Sequence, residues 1–489
     1  MDVIRFTLNG QSVEERGIAP TTTLLNYLRH RGLTGTKEGC AEGDCGACTV
    51  ALLEEAPDGT GRWRAVNSCL VLLPMLQGRE VVTVEGIADG DRAHPAQTAM
   101  VQNLGSQCGY CTPGVVMSLF EATYRSDLDE AWKLDDQMCG NLCRCTGYRP
   151  IRDAAKAVAG TRPRDRFLER AAVRAGQGMK LAYAAGVQRY FNPVSVGELC
   201  ELLDTHPEAR IVSGGTDLCL EVTKKRRELP LLISVEGVPE LRRMERRPEA
   251  LVLGAAASLS DVEAFTRESC PPLHRMLRYF ASRQIKNRGT LGGNVCNASP
   301  IGDTPPVLLA LGASVTLRRS SGTRTVPLDA FFLDYRKTAL QAGEFLESVT
   351  IPSIPAGARA AAYKVSRRRE LDISAVAAGF FVVTDDAGRV TEARLAYGGM
   401  AAIPRRAAGA EAALRGQPWN EASVEKAVAA LAKDFTPISD LRASAWYRAT
   451  VAGNLLRGFH LETRDQHVPH LPQRPNATLH LQPSPGGQS

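Results

Sequence analysis

The sequence has little that would tie it to a membrane. Its longest apolar runs, such as V-L-L-A-L-G-A at 307–313, fall well short of the roughly 18 residues that a bilayer span requires. It lacks a basic segment followed by an apolar core and a small-residue cleavage site. Instead M-D-V-I-R-F-T-L-N-G reads at once as a strand, so no secretory leader is expected and a cytoplasmic setting is. Charge of one sign is scarce too. A net charge of +6 spread over 489 residues is too weak to argue for nucleic acid or an anionic membrane as partner. No internal repeat is visible. Apolar material is not lacking: hydrophobic residues at 44% and charged residues at 23% are ordinary for a globular chain, and the length suggests roughly two to four domains.

Cysteine is plentiful. Thirteen thiols in a cytoplasmic chain are expected to stay reduced, so clustered ones suggest metal rather than disulfides. Cys139, Cys200, Cys219, Cys270 and Cys296 lie apart and read as small buried hydrophobes. The other eight precede residue 150 and fall into two sets.

Residues 1–85 look mostly β, with I-R-F-T-L-N-G and E-V-V-T-V-E-G as strands and T-T-T-L-L-N-Y-L-R-H-R-G between them as a helix closed by Gly32. H-P-A-Q-T-A-M-V-Q-N-L and P-G-V-V-M-S-L-F-E-A-T-Y have helical spacing, the second with Thr112 as cap and Pro113 in the first turn. An Arg- and Ala-rich stretch from about 161 to 190 reads as a connecting segment. Strand and helix signals then alternate over 192–350, with R-I-V-S-G-G and L-V-L-G as strands. S-V-G-E at 195–198 and S-D-V-E at 260–263 match capping boxes. A further α+β segment runs from about 360 to 462. The Pro-rich polar end is expected to be disordered, and N-A-T at 476–478 is set aside as a sequon without a secretory context.

Cys40, Cys45 and Cys48 follow C-x4-C-x2-C, the spacing of a plant-type [2Fe–2S] loop, and Cys69 is the fourth candidate. A loop bringing three thiolates to one pocket must wrap tightly. Gly39, Gly43 and Gly46 permit that and turn backbone N–H groups toward the sulfurs. A structural zinc site more usually shows paired C-x2-C knuckles, so spacing and glycine content favour iron–sulfur. The second set is Cys108 and Cys111 in Q-C-G-Y-C-T-P-G with Cys143 and Cys145 in N-L-C-R-C-T-G-Y-R-P. Each pair precedes a predicted helix, opened by Pro113 or Pro150, whose positive ends would favour an anionic centre. A C-x-C disulfide would be strained, and C-G-Y-C does not follow a strand as a thioredoxin motif would. Spacing alone leaves zinc and iron–sulfur both open for this set.

C-x4-C-x2-C, then C-G-Y-C-T-P-G, then C-G-N-L-C-R-C-T-G-Y, in that order, resembles the iron–sulfur half of the molybdenum hydroxylase family, the family of the xanthine dehydrogenases. The resemblance implies a [2Fe–2S] cluster on each set, the first on a β-grasp ferredoxin-like domain and the second on a four-helix bundle.

Two glycine-rich stretches follow. Neither S-G-G-T-D-L at 213–218 nor T-L-G-G-N-V-C-N-A-S-P-I-G-D at 290–303 is G-x-G-x-x-G, so a Rossmann reading fails. A single G-G loop is most simply a turn. Two, each flanked by hydroxyl and amide side chains, would together cradle a pyrophosphate through backbone N–H groups. The same family resemblance implies an FAD-binding domain here. On it, Ile211, Val212, Ser213, Gly214, Gly215, Thr216, Asp217 and Leu218 lie along the FAD diphosphate and ribityl chain with Thr290, Leu291, Gly292, Gly293 and Asn294. It implies Asp303 as a hydrogen-bond partner of the cofactor and Phe280 as packing against it, with Leu346 and Lys364 at further contact positions. Read plainly, Phe280 and Leu346 are equally core residues and Lys364 a surface lysine. Tyr335 in F-F-L-D-Y-R-K-T resembles a tyrosine near the nicotinamide site. S-R-R-R-E-L-D-I-S at 366–374 resembles a loop beside the flavin, but it carries Leu371 before Asp372 where the family pattern has an acidic pair. Its arginine run 367–369 would attract a dinucleotide phosphate or serve as a solvated turn.

The expected architecture is therefore α+β and multidomain. It comprises a ferredoxin-like domain over 1–86, a helical iron–sulfur domain over 87–162 and a linker over 163–190. An α+β FAD-binding domain over 191–356, a C-terminal α+β flavoprotein domain over 357–463 and a tail over 464–489 follow. The resemblance implies the electron-transfer subunit of a two-subunit xanthine dehydrogenase: two [2Fe–2S] clusters and FAD in this chain, NAD as acceptor, and molybdopterin on a large partner subunit in a two-plus-two heterotetramer. No protein general base is expected in such a relay. An aldehyde or other N-heterocycle dehydrogenase, a stand-alone NADH diaphorase, and a zinc-stabilised scaffold are the other readings.

Overall fold

The computed structural model describes residues 3–56, 59–173 and 179–464; the expected tail and its sequon lie outside them. The chain opens with strands β1 (Ile4–Leu8) and β2 (Gln11–Glu15), joined through Asn9 and Gly10. Both turn residues have positive φ, which is why Asn-Gly stands there: a two-residue hairpin whose twist matches its strands needs that conformation twice. Helix α1 (Leu24–His30) is closed at Gly32, as its sequence predicts, and the Thr23 hydroxyl caps its start. It lays Leu24, Leu25, Tyr27 and Leu28 on a sheet completed by β3 (Thr49–Glu55), β4 (Gly61–Asn67) and β5 (Glu80–Val82). The order β2-β1-β5-β3-β4, with β1 and β5 parallel, makes a β-grasp sheet.

Four helices follow: α2 (Pro95–Gln102), α3 (Thr112–Tyr124), α4 (Ala131–Met138) and α5 (Arg149–Val158). Helix α3 is buried almost all round because it packs on the other three and on β3 and β4 at once. Thr112 does not cap α3: it is the first helical residue, its hydroxyl paired with Ser106, and Cys111 occupies the cap position. The stretch expected to be a mere connection carries helix α6 (Arg166–Ala172) and strand β6 (Leu181–Ala185). The reason for α6 is visible afterwards. Asp165 caps it, and Phe167 inserts edge-on among Trp63, Phe120 and His94. One aromatic anchor suffices where many small residues conceal it.

Strand β6 pairs with β7 (Gln188–Asn192) in a sheet ordered β6-β7-β9-β8, with α7 (Val196–Thr205), β8 (Arg210–Val212), α8 (Cys219–Thr223) and β9 (Leu231–Ser234) completing it. Ser195 caps α7 as predicted. A second sheet is built from β10 (Met244–Arg246), β11 (Ala250–Gly254), β12 (Ser314–Arg319), β13 (Gly322–Pro327) and, after the hairpin β14 (Phe332–Asp334) and β15 (Lys337–Thr338), β16 (Phe345–Pro352). Between β11 and β12 run α9 (Leu259–Ser269), α10 (Pro271–Arg278), α11 (Arg283–Arg288), α12 (Leu291–Cys296) and α13 (Thr304–Ala310). The α9 cap is Ser258, two residues before the expected Ser260, because the S-x-x-D at 258–261 competes for the same turn and wins. A four-stranded antiparallel sheet, β17 (Arg359–Val365), β18 (Val376–Thr384), β19 (Val390–Gly398) and β20 (Arg405–Arg406), closes the chain with α14 (Ala408–Leu414), α15 (Glu421–Asp434) and α16 (Ala445–Thr463).

The short helix α11 joins these parts. Gln284 donates to Ser118 (3.0 Å) and Asn141 (2.9 Å) of the helical unit, and Asn287 to the Ala65 carbonyl (2.9 Å) of β4. Lys286 is fully buried between Asp136 (2.8 Å) and Glu263 (2.7 Å). Arg288 bridges Glu54 (2.9 Å) and Glu236. Buried charges of this kind are tolerable only when fully paired, so α11 holds the β-grasp sheet, the helical unit and the sheets that follow in one fixed arrangement.

Candidate functional site

The loop between α1 and β3 folds around a sulfur. The backbone N–H groups of Glu42, Asp44 and Cys45 point at Cys40 Sγ from 3.4, 3.2 and 3.3 Å, and that of Cys40 points at Cys45 Sγ from 3.3 Å. Gly43 and Gly46, both at positive φ, make this turn possible, and a side chain on Gly39 would collide with Cys45 Sγ. Cys69 sits on the short turn after β4 and hydrogen-bonds Cys48, while Cys40 pairs with Cys45. The hydrogen bond from Cys45, and then the converging backbone N–H groups, pull the Cys40 thiol down to about 5; Cys69 likewise lowers Cys48.

The second set converges equally. Cys145 Sγ lies 3.6 Å from Cys108 Sγ and 3.8 Å from Cys143 Sγ, and Cys143 hydrogen-bonds Cys111. Burial raises the Cys143 thiol, but the Thr146 hydroxyl (3.0 Å) and nearby N–H groups outweigh it and bring the thiol to about 7. Burial and the contact with Cys143 push Cys111 up to about 12. Cys111 caps α3, and Cys143 and Cys145 lead into α5 through left-handed Tyr148, whose hydroxyl accepts the Cys143 N–H at 3.0 Å.

In the first set the thiols come as two pairs, Cys40 with Cys45 and Cys48 with Cys69, whereas in the second Cys145 lies against both Cys108 and Cys143. A tetrahedral zinc cage gathers four ligands on one ion, whereas a binuclear cluster takes two thiolates at each iron. The four thiols of each set fit a [2Fe–2S] cluster, and in the first set the pairing and the N–H groups aimed at sulfur fit it as well.

The first glycine-rich loop fits its expected use better than the second. After β8, the N–H groups of Gly214, Gly215, Thr216 and Asp217 find no acceptor among the described residues, and the Ser213 hydroxyl is buried without a partner. A side chain on Gly214 would meet the Arg288 carbonyl at 1.6 Å. The second stretch is not a loop. Thr290 caps α12, and the N–H groups of Leu291, Gly292 and Gly293 are taken by Ala257, Ala255 and the Thr290 hydroxyl. Its offering is side chains: Asn294 accepts from Thr304 at 2.6 Å, next to Asp303. The free N–H row, the orphan hydroxyl and the closely packed glycines fit one pyrophosphate held chiefly by 213–217.

Asp303 is buried and accepts from Ser374 (2.5 Å) and Lys364 (2.8 Å). Lys364 is therefore no surface lysine: its side chain is 3% exposed and also reaches the Tyr279 carbonyl. Phe280 is half-buried, and Leu346 lies within the main core. Val212 is buried, while Ile211, Asp217 and Tyr335 are exposed and Leu218 is half-buried. Tyr335 stands on the β14–β15 hairpin, where its N–H meets Asp334 and its ring meets Arg336. Leu371 adopts positive φ and is pinned by its N–H to the Ala281 carbonyl.

The three centres touch. The Leu142 N–H donates to the Cys45 carbonyl at 3.0 Å, and Asn141 to the Gly46 carbonyl at 3.1 Å. On the other side, the Leu70 carbonyl, beside Cys69, accepts from Cys219 at 3.2 Å and packs on Gly215. The order in space is second thiol set, first thiol set, 213–217 loop.

Four family models match in sequence order: a 2Fe-2S iron-sulfur cluster binding domain over 6–73, a [2Fe-2S] binding domain over 83–156, the FAD binding domain in molybdopterin dehydrogenase over 183–354, and the CO dehydrogenase flavoprotein C-terminal domain over 361–463. The chain belongs to the molybdenum hydroxylase family. Molybdenum hydroxylase relatives include the xanthine dehydrogenase of Emericella nidulans, 33% identical over 497 residues covering 89% of this chain and 36% of that protein. The xanthine dehydrogenase/oxidase of Gallus gallus is 33% identical over 513 residues, 89% of this chain and 38% of that one. The chain thus spans little more than a third of these relatives. Among solved molybdenum hydroxylase structures, carbon monoxide dehydrogenase from Hydrogenophaga pseudoflava superposes with a TM-score of 0.53 at 29% identity, over 56% of this chain and 96% of that one. Quinoline 2-oxidoreductase from Pseudomonas putida 86 gives 0.52 at 27%, over the same shares.

A cavity of about 780 Å³ lies elsewhere, between β3–β4 and the segment from Glu236 to Thr290. It is lined by mutually paired Arg and Glu side chains and shares only Thr290 with the candidate residues. Sequence reasoning missed α11, the Leu142–Cys45 contact, Tyr148 and the Lys364–Asp303 pair. Leu142, Cys45, Tyr148, Asp303 and Lys364 all stood in stretches already singled out, but their contacts did not show there; α11 did not stand in one.

Proposed function

We propose that this chain is the electron-relay half of a xanthine dehydrogenase, working with a large molybdopterin-binding subunit in a two-plus-two heterotetramer in the cytoplasm and delivering electrons to NAD⁺. The Leu142–Cys45 hydrogen bond carries the reading, because it makes the two thiol quartets neighbours through a single backbone contact. When bound, the clusters carry electrons singly and FAD gathers two for transfer to NAD⁺ as hydride. Cys108, Cys111, Cys143 and Cys145 would hold the entry cluster, and Cys40, Cys45, Cys48 and Cys69 the one beside the flavin. Residues 213–217 would hold the pyrophosphate by N–H groups, with Asp303 fixed by Lys364 and Ser374 to accept from the cofactor. Phe280, Leu346 and Tyr335 would border the flavin and nicotinamide. The domain limits expected from sequence serve as the working division of the chain.

The entry side is supported by exposure. Cys108 and Cys145 are exposed, and Tyr110, Leu142 and Tyr148 beside them are 50%, 38% and 46% exposed. An apolar rim around two open thiols suits a protein partner. The solved relatives named for carbon monoxide and quinoline favour a second reading, the same relay serving a different oxidised substrate.

The test is capture of the native complex, followed by xanthine, aldehyde and N-heterocycle assays with NAD⁺. Xanthine-dependent NADH formation with a co-purifying molybdopterin subunit is expected. Reaction with another substrate alone favours the second reading. A chain that purifies without a molybdopterin partner yet oxidises NADH is a diaphorase.

A further inference from the structure

The loop that carries Cys40 and Cys45 is gripped by two cations that belong to the flavin side of the molecule. Lys224, directly after α8, donates from Nζ to the Cys40 carbonyl at 3.0 Å and pairs with Glu42 at 3.2 Å. Arg368, in the loop after β17, faces Asp44 at 3.8 Å. Glu42 and Asp44 supply two of the three N–H groups that point at Cys40 Sγ. We propose that Lys224 is a positioning residue for the first cluster: it sets that cluster's reduction potential from the FAD-binding domain. The inference rests on the reading that Cys40, Cys45, Cys48 and Cys69 hold a [2Fe–2S] cluster.

The argument is electrostatic and geometric. Reduction adds one negative charge to the cluster, and hydrogen bonds and charge near its sulfurs tune its potential. Lys224 acts in three ways in the same direction. It brings a cation to the ligand's own carbonyl. It neutralises Glu42, which would otherwise oppose reduction. It ties the loop at Cys40 and Glu42, keeping the Glu42, Asp44 and Cys45 N–H groups aimed at sulfur. Each favours the reduced form and raises the potential. Because Lys224 and Glu42 are 44% and 41% exposed, the Coulomb part is screened by salt while the loop geometry is not. Lys224 closes the segment that begins with the pyrophosphate loop and α8, so the cofactor cradle and the cluster loop are braced by one short stretch. The next station after the second cluster is thereby made the better acceptor.

The experiment is an EPR-monitored redox titration of the cofactor-loaded chain, comparing wild type with Lys224→Gln and Lys224→Arg at low and high salt. In Lys224→Gln the first cluster's reduction equilibrium is expected to fall about three- to tenfold, tenfold being about 59 mV for one electron. The second cluster should be unmoved, Lys224→Arg should restore most of the shift, and the gap should narrow at high salt. An unchanged midpoint in Lys224→Gln with both signals intact overturns the inference, as does an equal shift of both clusters. Wild-type protein without two [2Fe–2S] signals overturns the reading beneath it, and this inference with it.

Discussion

The N–H of Leu142 and the carbonyl of Cys45 are 3.0 Å apart, so the residue before Cys143 of one thiol set is hydrogen-bonded to a cysteine of the neighbouring set. Nothing bulky intervenes. Gly46 presents its carbonyl to Asn141, and a side chain on Gly114 would meet that carbonyl at 2.1 Å. The close approach of the two thiol sets is a property of glycines as much as of cysteines.

Gly214→Ala should separate flavin binding from iron binding. The added methyl would meet the Arg288 carbonyl at 1.6 Å, a backbone atom that cannot swing away. The pyrophosphate loop must then shift, while both thiol sets keep their own loops. The purified variant should lack flavin absorbance and retain its full iron content.

Lys286→Met should weaken the joint between the units. It leaves Asp136 and Glu263 buried without their shared cation. Breaking a buried pair of this kind costs about 3–5 kcal/mol, read as a lowered denaturant midpoint. A triple replacement, Lys286→Met with Asp136→Asn and Glu263→Gln, should recover part of the loss.

His94 makes the helical unit acid-sensitive. Its Nδ1 accepts the Ala96 N–H at 3.1 Å, which leaves the proton on Nε2 facing the Tyr124 hydroxyl (2.8 Å), and that hydroxyl donates to Asp165 at 2.6 Å. Burial holds the imidazole down to about 4. The unfolded chain takes up this proton near 6.5 and the folded chain only near 4. Stability is therefore complete above about 6.5 and falls as pH drops through that window, by about 3 kcal/mol at most. His94→Asn keeps a capping acceptor and should flatten the profile between pH 7 and 4.5 relative to wild type.

The cysteine chemistry was legible because ligand spacing is local: C-x4-C-x2-C and the glycines between its members act within one loop. The stop at Gly32 and the cap at Ser195 were legible for the same reason. What depended on distant partners was not. Lys364 reads as a surface lysine until Asp303, 61 positions away, is placed against it. The polar run R-Q-I-K-N-R looks like a solvated helix, yet its side chains are matched to residues of β3, β4, α3 and α4. T-L-G-G-N reads as a loop because glycine is a poor helix former, and only its packing against Ala255 and Ala257 makes it the first turn of α12.

The central claim is that eight cysteines hold two separate [2Fe–2S] clusters. Low-temperature EPR of the dithionite-reduced chain, with Cys69→Ser and Cys145→Ser beside wild type, tests it most directly. Two distinct signals are predicted, with Cys69→Ser altering or removing one and Cys145→Ser the other. A single signal insensitive to one of the two replacements, or a colourless protein containing zinc and no iron, would contradict it.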